Sequence, residues 1–167
     1  SPQLDESSPG IEEASMPMIS ATAQTVLGSD AVAHVWTTNS DGSPQVSVVW
    51  VIAHDDEILF GTDSSSQKAK NLGRDDRIVL SIEDEERNAR GYQRHLVIRG
   101  RARIGAGDPE LMDRLAAKYT GLRRHPLALR DSDTSVVVRV QIERLSGVGP
   151  WIDDGADSSF PAAELAT

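Results

Sequence analysis

The sequence predicts a mainly β, α+β domain: six antiparallel strands closed into a barrel, with a few peripheral helices. Two observations predict it. Six runs have strand-type alternation or β-branched richness and are joined by short turns carrying Gly, Asp and Asn. No regular alternation of strand and helix frames them, so a parallel sheet with crossover helices is not expected. Closure into a barrel would remove the unpaired edges that an open sheet of this size exposes.

The elements follow in order. SATAQTVL reads as a short helix stopped by Gly28, and AVAHVWTT as the first strand. NSDGS is a turn centred on Asp41-Gly42, a dipeptide that tolerates positive φ. PQVSVVWVIA reads as one continuous strand. Its wholly apolar face, Val46, Val48, Trp50 and Ile52, is expected against a core, and the opposite face begins with the polar Gln45 and Ser47. EILFGT is the third strand, SQKAKNLGR a short helix and RIVLSIED the fourth strand. The carboxylate run Glu83 to Glu86 belongs to a solvated connection. YQRHLVIRGRARI is a long strand with a bend at Gly100. Asp108-Pro109 opens a helix, Asp as N-cap and Pro at the first helical position, with Leu111, Leu115 and Tyr119 on one face. SVVVRVQIERL is the last strand, and GVGPW closes the ordered part.

The chain divides into an acidic, disorder-prone tail over residues 1–18, a domain over 19–151 and a second acidic tail over 152–167. Of a formal charge of −9, most belongs to the tails, through Asp5, Glu6, Glu12, Glu13, Asp153, Asp154, Asp157 and Glu164. The body is nearly neutral, so non-specific nucleic-acid binding is not expected. There is no cysteine, which excludes disulfides, thiolate metal sites and thiol catalysis. No apolar run reaches membrane-spanning length and no signal-peptide pattern opens the chain; with the missing cysteines, this suits the cytoplasm. The histidines 34, 54, 95 and 125 show no metal-ligand spacing.

The segment GTDSSSQKAKNLGRD carries the most chemistry. Ser64, Ser65 and Ser66 fall where a strand gives way to a helix, and first-turn amides with the helix dipole favour an anion there. Lys68 and Lys70 add ammonium groups suited to phosphate, and Asn71 adds a neutral donor. The same residues also fit a plain serine cap followed by solvated lysines. Neither GxxxxGK[ST] nor GxGxxG is present.

The order of AVAHVWTTNSDGSPQVSVVWV, EILFGTDSSSQKAKNLGRDDRIVLSI, YQRHLVIRGRARI and RLSGVGPW resembles the split β-barrel flavin-binding family of pyridoxamine 5′-phosphate oxidase. Within it, the chain is similar to the actinobacterial branch that uses the deazaflavin coenzyme F420. The resemblance implies a homodimer with cofactors at the subunit interface, and hydride transfer from reduced F420 to an organic acceptor, with tetrapyrroles such as biliverdin as one class. It implies that Gln45, Ser47, Val49 and Trp50 line the ring system. Thr62, Ser64, Ser65, Ser66, Lys68 and Asn71 would hold the ribityl phosphate side. The partner would supply Tyr92, Arg94, His95, Pro150 and Trp151. Many FMN-binding members carry an arginine within the stretch that here reads Val46 to Val51, which has no basic residue. An FMN-dependent oxidase or reductase and a non-catalytic cofactor-binding protein are the alternatives. No catalytic side chain is assigned, because such a cofactor carries the chemistry and the protein supplies orientation.

Overall fold

The computed structural model describes residues 19–121 and 132–152; the expected tails, Ile152 apart, and His125 lie outside them. The elements run α1 (Ala21–Gly28), β1 (Ala33–Thr38), β2 (Pro44–Val49), β3 (Ile52–His54), β4 (Glu57–Asp63), α2 (Gln67–Arg74), β5 (Arg77–Arg87), β6 (Gln93–Ala106), α3 (Pro109–Thr120) and β7 (Ser135–Val148). No described helix is long and apolar enough to cross a membrane.

The strands form one antiparallel sheet in the order β2-β1-β5-β6-β7-β4-β3. Its two outermost strands, β2 and β3, are separated in sequence only by Trp50 and Val51. From Val49 to Ile52 the chain can span at most about 11 Å. A flat sheet of this many strands would put its edges roughly 29 Å apart. The sheet must therefore curl until its edges nearly meet, which is the barrel.

The same geometry explains the departure from six strands to seven. The run PQVSVVWVIA alternates without interruption, but its first half pairs with β1 and its second half with β4. The break at Val51 would leave backbone groups unpaired in a residue only 1% exposed. Helix α3 supplies the partners. Val51 N–H donates to the Tyr119 hydroxyl at 3.1 Å, and Lys118 Nζ donates to the Val51 carbonyl at 2.6 Å and to the Leu27 carbonyl. The Tyr119 hydroxyl in turn donates to the Ala31 carbonyl at 3.0 Å. Burial pushes the Lys118 pKa down to about 8.

Alternate residues of the strands fill the barrel. Val35, Ile58, Phe60, Ile78, Leu80, Ile82, Leu96, Ile98, Val138, Val140 and Ile142 are all buried in one cluster. Leu111, Met112 and Leu115 of α3 pack outside the wall against Leu59 and Val137. The expected caps are present. Asp108 accepts from the Glu110 and Leu111 amides, and Gly121 closes α3 with φ at 75°. The expected bend at Gly100 is a β-bulge between Arg99 and Gly100.

Two expectations are corrected. The wholly apolar face of β2 points outward, with Val46 49% and Val48 54% exposed, while Gln45, Ser47 and Val49 face inward. Nor is the carboxylate run a solvated loop. It extends β5, and Asp84 and Glu86 both grip Arg94, at 3.2 and 2.5 Å.

Candidate functional site

The serine-lysine segment folds as a strand end, a tight turn and a helix. Asp63 accepts from both the amide and the hydroxyl of Ser65, at 2.8 and 2.6 Å, and from the Thr134 hydroxyl at 2.5 Å. These donors, the Ser65 hydroxyl foremost, hold its carboxyl down at a pKa of about 2. Ser66 is the N-cap of α2, its hydroxyl accepting from the Ala69 amide and lying 3.0 Å from that of Thr62. The amides of Gln67 and Lys68 then belong to the first turn, which has no intrahelical acceptors.

Lys68 differs from the surface lysines around it. It is half-buried, and desolvation pushes its ammonium below the ordinary lysine pKa. No described residue offers it a hydrogen bond or an ion pair. A half-desolvated cation without a counter-ion, beside open first-turn amides, fits an incoming anion. Lys70 is exposed, and Arg74 donates to the Thr38 carbonyl.

Asn71 serves the fold. It is fully buried, its amide donates to Thr37 Oγ1 at 3.0 Å and Asn39 Oδ1 at 2.9 Å, and its oxygen accepts from Gln67 at 2.8 Å. This network ties α2 to β1 and leaves Asn71 no free N–H. Thr37 also donates to Gln45 Oε1 at 2.9 Å, so Gln45 joins the same network. Next along β2, the Ser47 hydroxyl is buried with no hydrogen-bond partner among the described residues. Buried hydroxyls are seldom left so, and a bound polar group would satisfy it. Val49 packs in the core, and Trp50 stacks on Tyr119, ring centroids 5.4 Å apart and 7° from parallel.

The second expected group gathers at the β5–β6 hairpin and the segment after β7. The Arg94 guanidinium lies 5.5 Å from the Trp151 ring centroid and also pairs with Asp84 and Glu86. Trp151 is a core residue of its own chain, 8% exposed, its indole N–H donating to the Ser146 carbonyl at 3.2 Å. Pro150 precedes it, half-buried. His95 Nδ1 meets the Gln93 carbonyl at 3.0 Å, and Tyr92 stands 62% exposed at the hairpin.

Within one chain the two groups stand at opposite ends of a strand. Asp63, at the entrance to α2, pairs with Ser135, and His95 pairs with Val148. Those partners are the first and last residues of β7, about 40 Å apart along the strand at the usual rise per residue. The sequence reading assigns the second group to a partner subunit, and within one chain the fold keeps the two groups apart.

Sequence reasoning missed Lys118, which pins the split, and Arg144, which pairs across from Arg99. The register of β6 on β7 brings those arginines together, and no local pattern announces it.

The family model described as pyridoxamine 5′-phosphate oxidase matches residues 19–149. The chain belongs to that family, named for an oxidase, and its barrel is a flavin- or deazaflavin-binding type of fold. Among solved structures it is similar to an F420 reductase, at 25% identity and a TM-score of 0.63, covering 74% of this chain and 94% of that one. It is also similar to a conserved hypothetical protein of Mycobacterium tuberculosis, at 28% identity and a TM-score of 0.60, covering 73% and 79%. General Stress Protein 26 of Bacillus anthracis, 14% identical with a TM-score of 0.53 over 74% and 94%, shares the fold. No curated protein matches the chain.

Proposed function

We propose that this protein is a reductase that binds coenzyme F420 between two copies of the chain and passes hydride from its reduced form to an unsaturated organic acceptor. The observation that carries this reading is the half-buried Lys68 at the first turn of α2, which has no partner among the described residues. It suits the phosphate of a flavin-type cofactor, with the Ser64 and Ser65 side and the open amides beside it and the orphaned Ser47 hydroxyl on β2. When bound, the cofactor supplies the hydride chemistry; the chain binds, orients and shields it. The similarity to an F420 reductase favours deazaflavin, as does the absence of any basic residue from Val46 to Val51. A tetrapyrrole such as biliverdin is one acceptor that the reading accommodates.

Two observations support a homodimer. The cofactor residues implied for one site lie at opposite ends of β7, so a second copy is needed to bring them together. Val46 and Val48 expose apolar surface on β2, as an interface core would. FMN is the alternative cofactor. Titration of the dialysed protein with F420 and with FMN tests the choice. Tight binding of F420 and weak binding of FMN is expected; the reverse order overturns the assignment.

A further inference from the structure

A cleft of about 540 Å³ has no residue of the serine-lysine segment in its lining, which includes Trp36, Val79, Arg77, Arg99, Arg101 and Arg144, with Glu143 the sole carboxylate. In a chain of net charge −9, four arginines on one cleft form a concentrated cationic surface. Two of them are neutralised. Arg77 pairs with Asp75 at 2.7 Å, and Arg101 bridges Asp76 at 2.7 Å and Glu143 at 2.9 Å. The other two are not: among the described residues, neither Arg99 nor Arg144 has an ion pair or hydrogen bond from its side chain.

These two face each other. Arg99 of β6 is the register partner of Arg144 of β7. Like charges directly opposite on neighbouring strands destabilise a sheet, and here no described carboxylate relieves them. The sheet is also deformed at this point. The β-bulge begins next to Arg99 and shifts the register, so that Gly100 pairs with Ile142 and Glu143 is left over. Gly100 allows it, because a Cβ there would fall on the Gln141 carbonyl oxygen. Bulges commonly re-aim side chains beside binding sites.

The register continues across the sheet from Arg99 to Val79 and from Val79 to Trp36. Directly paired residues share a face, so Trp36, Val79, Arg99 and Arg144 form one row across four strands. One end of the row is flat and apolar and the other is doubly cationic.

We infer that this cleft binds an organic oxyanion with a flat apolar body, its carboxylate or phosphate held between Arg99 and Arg144 and its body lying along Val79 and Trp36. Guanidinium forks match both oxyanions in bidentate geometry, and the indole offers a stacking face. The site uses no residue of the Lys68 cluster; its Trp36 end adjoins Val46 and the β2 surface proposed for the dimer, and its arginine pair begins three strands away on β6.

The test is calorimetric titration of the full chain with 2-naphthoate, 2-naphthyl phosphate and the uncharged methyl 2-naphthoate. At least one of the two acids is expected to bind, and the ester at least tenfold more weakly. Arg99→Gln and Arg144→Gln should each weaken the acid at least fivefold, while Arg114→Gln, an exposed arginine on α3, leaves it unchanged. Lys68→Met should also bind the acid as the native chain does, which separates this site from the cofactor site whatever the cofactor proves to be. Equal binding of acid and ester, or acid binding indifferent to both arginines, overturns the proposal. So does the failure of both acids to bind the native chain, and a switch in oligomeric state in the arginine variants would then assign the pair to an interface.

Discussion

Replacing Lys68 by Met removes the ammonium and keeps most of the aliphatic stem, so packing changes little. In the free protein the substitution should be neutral or stabilising. The charge is half out of water, and no described group compensates it. In the bound state the loss is that of a charge-assisted contact, about 1.5–3 kcal/mol, or roughly 10- to 150-fold in affinity for an anionic cofactor. The two readouts thus move in opposite directions: Tm holds or rises while affinity falls. The pH dependence has a definite sign. Desolvation puts the folded-state pKa of Lys68 below its unfolded value, so the folded state binds fewer protons between the two. Native stability therefore gains a contribution as pH climbs through the folded pKa towards the unfolded value, near 10.4. The Met variant should lack that gain. Thermal unfolding from pH 7 to 10.5 and cofactor titration at pH 7 measure both effects. A variant that loses stability and binds cofactor unchanged would refute the reasoning and make Lys68 a structural residue.

Tyr119→Phe leaves the Val51 N–H without its partner in a buried turn. It should cost about 1–3 kcal/mol, read as a fall in Tm of roughly 2–4 °C per kcal/mol; an unchanged Tm would mean that the split point is not pinned there. Gly100→Ala drives a methyl into the Gln141 carbonyl and should cost about 1–3 kcal/mol or more, with a matching loss in denaturant midpoint. A neutral Ala would mean that the bulge relaxes freely. Val48→Glu, on an exposed position, should alter monomer stability by no more than about 0.5 kcal/mol yet shift sedimentation from dimer to monomer. A dimer of unchanged affinity would place the interface elsewhere.

Much of the fold was legible because its signals are local. The Asp108-Pro109 start and the Ser66 cap each depend on residues within a turn of one another, and the bend at Gly100 is announced by the glycine itself. The split of β2 from β3 was hidden because the alternation runs unbroken through Trp50 and Val51. What changes there is the pairing partner, and the residues that satisfy the break, Lys118 and Tyr119, are more than sixty positions away. The facing of β2 was misread for a related reason. A wholly apolar face predicts burial, and among the described residues nothing buries Val46 and Val48. Among the expected site residues, Lys68 and Ser47 have side chains without described partners, whereas Asn71, Val49 and Trp151 are taken up by the chain's own packing and hydrogen bonds. Sequence pattern identifies residue types suited to a ligand; whether a neighbour already occupies them is a tertiary property.

In the proposed homodimer one cofactor site is built from two chains, with Lys68 from one and the hairpin bearing His95 from the other. Complementation measures this directly. Lys68→Met and His95→Ala proteins, each expected to bind cofactor weakly as pure dimers, are unfolded together, refolded as a mixture, and the mixed dimer is isolated by differential tags and titrated. One site of native affinity per mixed dimer is expected, because one of its two sites then receives both native groups. A mixed dimer that binds no better than either parent would contradict it.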